Sequence, residues 1–301
     1  QRGEPVATGA AYRRERVSRG QHRTRDAKPI HAGEKKMAVK ENDYFGRKLT
    51  SAEAEAVIAG LKAYLMGLAD RWLFKGRFHA DLAKGTLPME AIRVFWQNWY
   101  GFVAEINNFH GVAYQRHLPF FKRHPELQKH FANHVADEMI QPTPPGHIRI
   151  VLEQGRNFGL ADEAMVEYEM LPECRAFLEY YRGVLYEGTM AEWWASFCVE
   201  EAVGHWAKFF GGALRQAYQL PEEKIVYFRV HAQADLEVHA DGVMAHADLD
   251  WMVLKKMLEE GRADTRPGFS LEYCLRMGTA YFAWFFEGVY QYIKKEGLYA
   301  N

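Results

Sequence analysis

Residues 227–239, "YFRVHAQADLEVH", carry two histidines, an aspartate and a glutamate between apolar residues. In an α-helix, positions i and i+4 share a face and i+8 drifts from i by about 80°, so His231, Asp235 and His239 form one stripe. Neutral imidazole and carboxylate are ligands that suit iron, manganese or zinc in a helical bundle. The stretch therefore predicts one wall of a metal site, although a solvated face with two surface histidines has the same pattern.

Two further segments supply residues of the same types. "FCVEEAVGHWAKFF" (197–210) places Glu201 and His205 at i and i+4, with Glu200 adjacent, among aromatic residues. A local hydrogen-bonded pair is the alternative interpretation there. "WYGFVAEINNFHGVAYQRHL" (99–118) places His110 and His117 seven residues apart, and so on one helical face. Histidines on such helices are also common as packing or surface residues.

Other chemistries have little support in the sequence. GxSxG, Walker A and HExxH motifs are missing, as are the paired ExxH motifs that mark ferritin-like di-iron bundles. Cys174, Cys198 and Cys274 are far apart and in no CxxC spacing, which excludes a disulfide framework or a zinc knuckle. A reducing cytoplasm is the simplest compartment.

The elements that must position these residues are all helical. Thr50 or Ser51, followed by Glu53, gives an N-terminal capping signal for a first helix over about 51–74. No segment shows useful period-2 alternation, so we predict an all-α fold, with seven or eight helices in a single bundle. Residues 221–261 are interpreted as one such segment, opened by Pro221.

Composition and charge limit the class of protein. The chain has 301 residues and is 48% hydrophobic, enough for a sizeable core. Its aromatic helices are interrupted by polar residues and are too short for membrane spans. Residues 1–36 contain ten basic and four acidic residues, leaving 28 basic and 35 acidic residues in the remainder. Because residues 37–301 carry more acidic than basic side chains, nucleic acid is an unfavoured partner. We interpret residues 1–36 as disordered, as the product of a misplaced start or as a transit peptide, and 37–301 as the folded domain.

Several stretches, taken in order, resemble the TenA/THI-4/PqqC-like superfamily, which has the haem-oxygenase-like fold. They are "FHADLAKGTLPMEAIRVFWQNWYGFV" (78–103), "HIRIVLEQGRNFGLADEAMVEYEMLPECRAFLEYYRG" (147–183), "FCVEEAVGHWAKFFGGALRQAYQLPEEKIVYFRVHAQADLEVH" (197–239) and the aromatic last helix. The resemblance covers residues 50–297 and implies a single haem-oxygenase-like bundle, with a homodimer as one option.

One branch of that superfamily looks like non-haem iron oxidases and oxygenases. It carries a Glu and a His on one core helix, a Glu on a second, and His-x3-Asp-x2-His on a third. Matching positions in this sequence are Glu201, with Glu200 as the alternative, and then His231 and Asp235. On the first helix His117 matches the histidine, and His110 stands where that branch has Glu.

The chain departs from that pattern at the third helix. His239 follows Asp235 by four residues rather than three, which rotates it by about 100° unless a π-bulge absorbs the extra residue. This departure, and a histidine in place of Glu at position 110, put one of two iron positions in doubt.

The resemblance thus implies an O2-dependent protein with one or two non-haem iron ions that oxidises a small amino acid, amine or carboxylic acid. Its implied ligands are His110, His117, Glu201, His231, Asp235 and His239, and the expected substrate neighbours are Tyr100, Tyr114, Tyr227 and His205. Alternatives are a cofactor-free PqqC-like oxidase and a non-catalytic TenA-like binding protein. A TenA-like thiaminase is the weakest, because its nucleophile cannot be placed on any of the three cysteines.

Overall fold

The fold is seen in a computed structural model that describes Tyr44 and residues 46–140, 146–238 and 242–299. The predicted basic tail and His239 lie outside these described residues.

The described part of the chain contains helices and no β-strand, which confirms the predicted all-α class. Its α-helices are α1 (Ser51–Leu68), α2 (Arg77–Ala83), α3 (Met89–Phe121), α4 (Pro125–Met139), α5 (Gly146–Asn157), α6 (Asp162–Val166), α7 (Pro172–Glu187), α8 (Met190–Phe197), α9 (Glu200–Ala217), α10 (Val226–Leu236), α11 (His246–Glu260) and α12 (Leu271–Lys295). A π-helical turn over Ala69–Phe74 continues α1, and a 3₁₀ turn over Glu222–Lys224 precedes α10. None of the described helices is long and apolar enough to cross a membrane.

The predicted start of the first helix is confirmed by its cap. The backbone N–H of Thr50 donates to the Glu53 carboxylate over 2.8 Å, and the Glu53 N–H donates to the Thr50 hydroxyl over 3.3 Å. Together these bonds form a capping box, which satisfies two N–H groups that a helix start leaves open.

The described residues form more helices than the seven or eight predicted, in part because two segments that the sequence pattern makes continuous are each divided. α8 ends at Phe197 and α9 begins at Glu200. The segment predicted over 221–261 breaks after Leu236, where Glu237 is extended with φ −119° and ψ 139°. Gly242 then has φ 79°, a left-handed conformation that Gly adopts without a steric cost. The helical stripe expected over residues 231–239 therefore ends before residue 239.

An aromatic core holds the long helices together. Phe95 of α3 stacks on Phe286 of α12 with ring centroids 5.7 Å apart, and Trp99 of α3 lies 5.0 Å from Trp206 of α9. All four side chains are at most 2% exposed. Their packing fixes α3 and α9 relative to each other, and both helices contribute to the site described below.

α9 and α10 approach closely at Gly204. A Cβ at this position would lie 2.7 Å from both the Asp235 Cβ and the Leu236 Cγ, inside any real contact distance. Only a residue without a side chain allows α10 to pack this close to α9. Gly204 thus sets the depth at which Asp235 enters the core.

Candidate metal centre

Ten titratable side chains from six helices meet in the interior, and none of them is more than 14% exposed. This buried cluster comprises His110 of α3, His134, Asp137 and Glu138 of α4, His147 of α5, Glu200 of α9, His231 and Asp235 of α10, and His246 and Asp250 of α11. Side chains of these types are seldom buried unless they are paired or bound to a metal.

One set of ligand atoms belongs to Glu138, His147 and His231, here named the Glu138 triad. Each residue offers one atom, and these atoms lie within 4.8 Å of one another. His147 Nδ1 is 2.8 Å from Glu138 Oε1, and the His147 and His231 ring centroids are 4.9 Å apart. The triad joins α4, α5 and α10.

The Tyr227 ring braces the Glu138 triad from one side. It stacks on the His231 ring at 5.1 Å between centroids, with 18° between the planes. Trp99 Nε1 donates a 2.7 Å hydrogen bond to the Tyr227 hydroxyl. Because Tyr227 and Trp99 are both buried, these contacts restrict how the imidazole can turn.

A second set, the Asp235 triad, consists of Glu200, Asp235 and His246, whose ligand atoms also lie within 4.8 Å of one another. His246 Nδ1 is 3.3 Å from Asp235 Oδ1. The other ring nitrogen, Nε2, is 3.1 Å from Asp137 Oδ2. A carboxylate at that nitrogen orients the ring so that Nδ1 faces Asp235 and Glu200.

The remaining histidines, His110 and His134, form a third set with Glu200, the His110 triad, again within 4.8 Å. The His110 and His134 ring centroids are 4.5 Å apart, and His134 Nε2 is 3.5 Å from Glu200 Oε1. His134 also stacks on His246 at 3.7 Å between centroids. A fourth overlapping set contains His134, Glu138 and His246, so the cluster is continuous.

Burial determines whether most of the imidazoles in the cluster carry a charge. It lowers the pKa of His110 to about 4 and holds the pKa of His134 well below its usual range. Burial also lowers the pKa of His231, although Asp235 opposes it. These three rings are therefore neutral near pH 7, the form in which a histidine binds a metal.

His246 and His147 behave differently because each contacts carboxylates. Burial acts to lower the pKa of His246, but hydrogen bonds with Asp137 and Asp235 overcome it and raise the pKa to about 10. Burial likewise opposes the charged form of His147, and Glu138 raises its pKa. His246 therefore carries a proton on both ring nitrogens near pH 7, and a bound cation would displace one of them.

Glu200 and Asp250 are a carboxyl pair with raised pKa values. Burial is the main cause for both residues, and the facing Asp250 carboxyl raises the pKa of Glu200 further. Two adjacent buried carboxylates repel each other unless a proton or a cation lies between them.

The donor set fits a divalent metal. Several buried atoms have no hydrogen-bonding partner among the described residues, namely both ring nitrogens of His134, Nδ1 of His231, Oε2 of Glu200, Oδ2 of Asp235 and both carboxylate oxygens of Asp250. Leaving such atoms unpaired costs on the order of 1–3 kcal/mol each. Imidazole nitrogen and carboxylate oxygen suit iron, manganese and zinc, and a cation satisfies both kinds of atom at once.

Of the residues that the sequence singled out as ligands, the structure brings His110, His231 and Asp235 together. It also places Glu200, the alternative to Glu201, in the cluster. Glu201 lies elsewhere, because its carboxylate accepts a 2.6 Å hydrogen bond from Trp251 Nε1.

His117 also lies apart from the cluster, with its ring centroid 6.2 Å from that of Trp194. His117 is buried and belongs to none of the ligand sets found among the described residues. His239 lies outside those residues.

The four expected substrate neighbours are dispersed. Tyr227 contacts the cluster through His231. Tyr114 instead bonds Gln128 and stacks on a phenylalanine, and Tyr100 is a partly buried residue of the core. His205 is exposed and lines a separate groove of about 470 Å³ between α9 and α10.

Sequence reasoning overlooked His134, Glu138, His147, His246 and Asp250. One signal was present: His134–Glu138 and His246–Asp250 have the His-x3-acid spacing of His231–Asp235. Three helices thus carry the same i, i+4 pair on their buried faces. No comparable local signal marks His147, which follows the proline-rich sequence "QPTPPG".

A cavity of about 50 Å³ borders the cluster. Its walls are mainly apolar and include Trp99, Phe102, Val103, Ile106, Phe177, Phe197 and Val203. His110, Glu138, Glu200 and His231 also reach this cavity. A small molecule held there would contact candidate ligand residues and hydrophobic side chains together.

The model of the TENA/THI-4/PQQC family matches residues 73–209. Over that range, the chain is similar to the TENA/THI-4/PQQC family. Among solved structures, it is similar to a domain of unknown function with a haem oxygenase-like fold from Shewanella denitrificans. The two are 14% identical with a TM-score of 0.61, over 81% of this chain and 96% of that chain. No curated protein gives a significant match.

These findings confirm the superfamily resemblance and the haem-oxygenase-like fold expected from the sequence. The family match includes the cluster residues from His110 to Glu200 and ends before α10 and α11. The similarity to the Shewanella domain, at its low identity, concerns the fold alone.

Proposed function

We propose that this TENA/THI-4/PQQC-like protein is an O2-dependent oxidoreductase that binds two non-haem iron ions and oxidises a small organic metabolite. The observation that carries the proposal is the presence of two triads with no residue in common. The Glu138 triad and the Asp235 triad each combine imidazole and carboxylate ligands at close range. Two ions at adjacent sites would neutralise buried carboxylates that otherwise face mostly histidines.

The residue types match those that the resemblance implies, drawn from other places in the chain. Glu138 of α4 and His147 of α5 supply the glutamate and histidine expected on one core helix. Glu200 supplies the second glutamate, while His231 and Asp235 retain the His-x3-Asp pair. The last histidine is His246, which enters from the start of α11, the helix that follows α10.

The protein residues would bind, orient and shield the reacting groups. Asp137 holds the His246 ring through Nε2, and Tyr227 stacks against His231. Apolar walls beside the triads limit the access of water. Ferrous iron held by the two triads would supply electrons for the reduction of O2.

The lining of the cavity indicates how a substrate would be oriented. Its wall is lined by aromatic and aliphatic side chains, and the carboxylates in it are candidate ligands. At about 50 Å³ the cavity is smaller than an amino acid, amine or carboxylic acid, so such a substrate would have to widen it, with its polar group toward the triads and an apolar portion against Phe102, Phe177 and Val203.

Glu200 and Glu201 offer a matched test, because they are neighbours on one helix. Metal-free protein is loaded anaerobically with ferrous iron, desalted and measured for iron per chain. We expect the unaltered protein to retain at least two ions, Glu200→Gln to lose at least one and Glu201→Gln to match the unaltered protein. If neither substitution changes the iron content, the assignment of Glu200 is wrong.

Consumption of O2 tests the reaction itself. The iron-loaded protein should consume O2 faster when a suitable amine, amino acid or carboxylic acid is added, and His231→Phe should abolish that increase. If no metal binds under any loading condition but substrate-dependent O2 consumption persists, the cofactor-free PqqC-like alternative is supported instead.

A further inference from the structure

Two iron sites leave part of the cluster unused. The Glu138 and Asp235 triads account for six residues, but His110, His134 and Asp250 are buried beside them. We propose that the His110 triad, with Asp250 beside it, is a third divalent-cation position at the wall of the cavity. The proposal deepens the proposed function and rests on it, because Glu200 is shared with the Asp235 triad.

The geometry of the His110 triad is comparable to that of the other two. Its three ligand atoms lie within the same 4.8 Å limit. His134 Nε2 is 3.5 Å from Glu200 Oε1, close enough for both atoms to bind one ion but without the geometry of a hydrogen bond. The residues come from α3, α4 and α9. Trp99 and Trp206 join α3 to α9, and Phe121 and Phe131 join α3 to α4.

A second, independent observation is that the His134 side chain lacks hydrogen-bonding partners among the described residues. His134 is 1% exposed, and neither of its ring nitrogens has a hydrogen-bonding partner among the described residues. A histidine that served only to orient a ligand would donate its N–H to an acceptor. His134 therefore has lone-pair capacity directed into the cluster, as a ligand requires.

Asp250 adds a carboxylate to this position. It is 0% exposed, and both of its oxygens lack a hydrogen-bond donor among the described residues. Its carboxyl faces that of Glu200. Because the two carboxyls are adjacent, a cation held by His110, His134 and Glu200 would reduce the repulsion between Asp250 and Glu200.

The chemistry of the donors identifies the ligand class. Two imidazoles with one or two carboxylates favour a first-row ion such as Fe²⁺, Mn²⁺ or Zn²⁺ over Ca²⁺ or Mg²⁺, which prefer oxygen ligands. His110 and Glu200 also line the cavity, so this ion would lie at the surface that a substrate meets.

The test compares two buried histidines seven residues apart on α3. His110→Phe keeps a ring in contact with Phe197, whose centroid is 4.9 Å away, but removes the ring nitrogens. His117→Phe makes the same change outside the cluster. Each protein is made metal-free, titrated anaerobically with ferrous iron and desalted, and the iron per chain is measured.

We expect the unaltered protein and His117→Phe to saturate at three ions, and His110→Phe to saturate at two. Retention of those two ions would also show that the bundle is intact. Anomalous scattering at the iron edge should give a peak between His110, His134 and Glu200 in the unaltered protein only.

Saturation of the unaltered protein at two ions would overturn this inference and leave the proposed function standing, with His110 and His134 as packing residues. Three ions in His110→Phe would also overturn it. Failure of all the proteins to bind iron would overturn both proposals.

Discussion

Glu200 and Glu201 are adjacent on α9 but lie in different surroundings. Consecutive residues of a helix point about 100° apart, so only one of them can face the interior cluster. The sequence identified the pair and favoured Glu201 as the ligand, whereas Glu200 is the residue inside the cluster. The aromatic residues around both do not fix the rotation of the helix. The structure resolves it, since Trp251 and Lys62 hold Glu201 on the other side.

Substitution of Asp137 should change the affinity for the metal and leave the number of bound ions unchanged. Asp137→Asn removes the charge that holds His246 through its Nε2 atom. Loss of such a partner typically costs about 10- to 100-fold in metal affinity. We expect an affinity loss in that range with unchanged ion stoichiometry, measured by competition with a chelator. Asp248→Asn, on the same helix as His246, is the control, since the Asp248 side chain is 56% exposed. An equal loss of affinity in both variants would contradict the role of Asp137.

The stability of the folded protein should depend on pH through His79, which lies outside the buried cluster. Burial lowers its pKa to about 3, and it accepts a 3.0 Å hydrogen bond from Trp206 Nε1. As the pH falls below about 6.5, the unfolded chain takes up a proton there and the folded chain does not, so stability is lost on acidification. The contribution lost by pH 4 is about 3 kcal/mol.

His79→Gln keeps an acceptor at this position but removes the titration. We expect the free energy of unfolding in urea, measured on metal-free protein, to fall more between pH 7 and pH 4 in the unaltered protein than in the variant. Parallel losses in the two proteins would show that His79 does not contribute.

Helix starts were easier to predict than helix ends. The Thr50 capping box and Pro125 at the beginning of α4 are local signals, and the structure confirms both. The end of α10 has no such signal at Leu236, because the apolar pattern continues to Val238. Leu236 packs against Gly204 of α9 and the backbone becomes extended at Glu237, and neither feature follows from helical periodicity alone.

Gly204 offers a test of that packing. A methyl group in Gly204→Ala would collide with Asp235 and Leu236. Overpacking of this kind costs about 1–3 kcal/mol, which exceeds the gain of up to about 1 kcal/mol from replacing a helical glycine by alanine. We expect lower stability in urea together with reduced iron content, because Asp235 must move.

Gly212→Ala, on the same helix, is the matched control. A Cβ at Gly212 meets nothing within 4 Å, so this variant should be as stable as the unaltered protein or more so, with the same iron content. If Gly204→Ala behaves like Gly212→Ala, the two helices are not in the close contact described.

At the scale of the whole molecule, composition and periodicity were sufficient for the all-α class, and the order of the segments for the haem-oxygenase-like fold. They were not sufficient for the site, since its ten side chains lie on six helices and between His110 and Asp250 they span nearly half of the chain. Which histidines converge depends on the rotation of every helix. His117 has the same buried environment and the same lowered pKa as His110, yet lies outside the cluster.

The convergence of six helices also predicts that metal binding stabilises the entire bundle. A ligand that binds only the folded state at about 1,000 times its dissociation constant adds about 4 kcal/mol, which for a domain of this size raises Tm on the order of 10 °C. We therefore expect iron-loaded protein to unfold at a higher temperature than chelated protein, and Glu138→Gln to show a much smaller difference.

Because α4, α5 and α10 meet at the Glu138 triad, loss of the ion should also increase amide hydrogen exchange in all three helices. An increase confined to one helix would mean that the cluster does not link them.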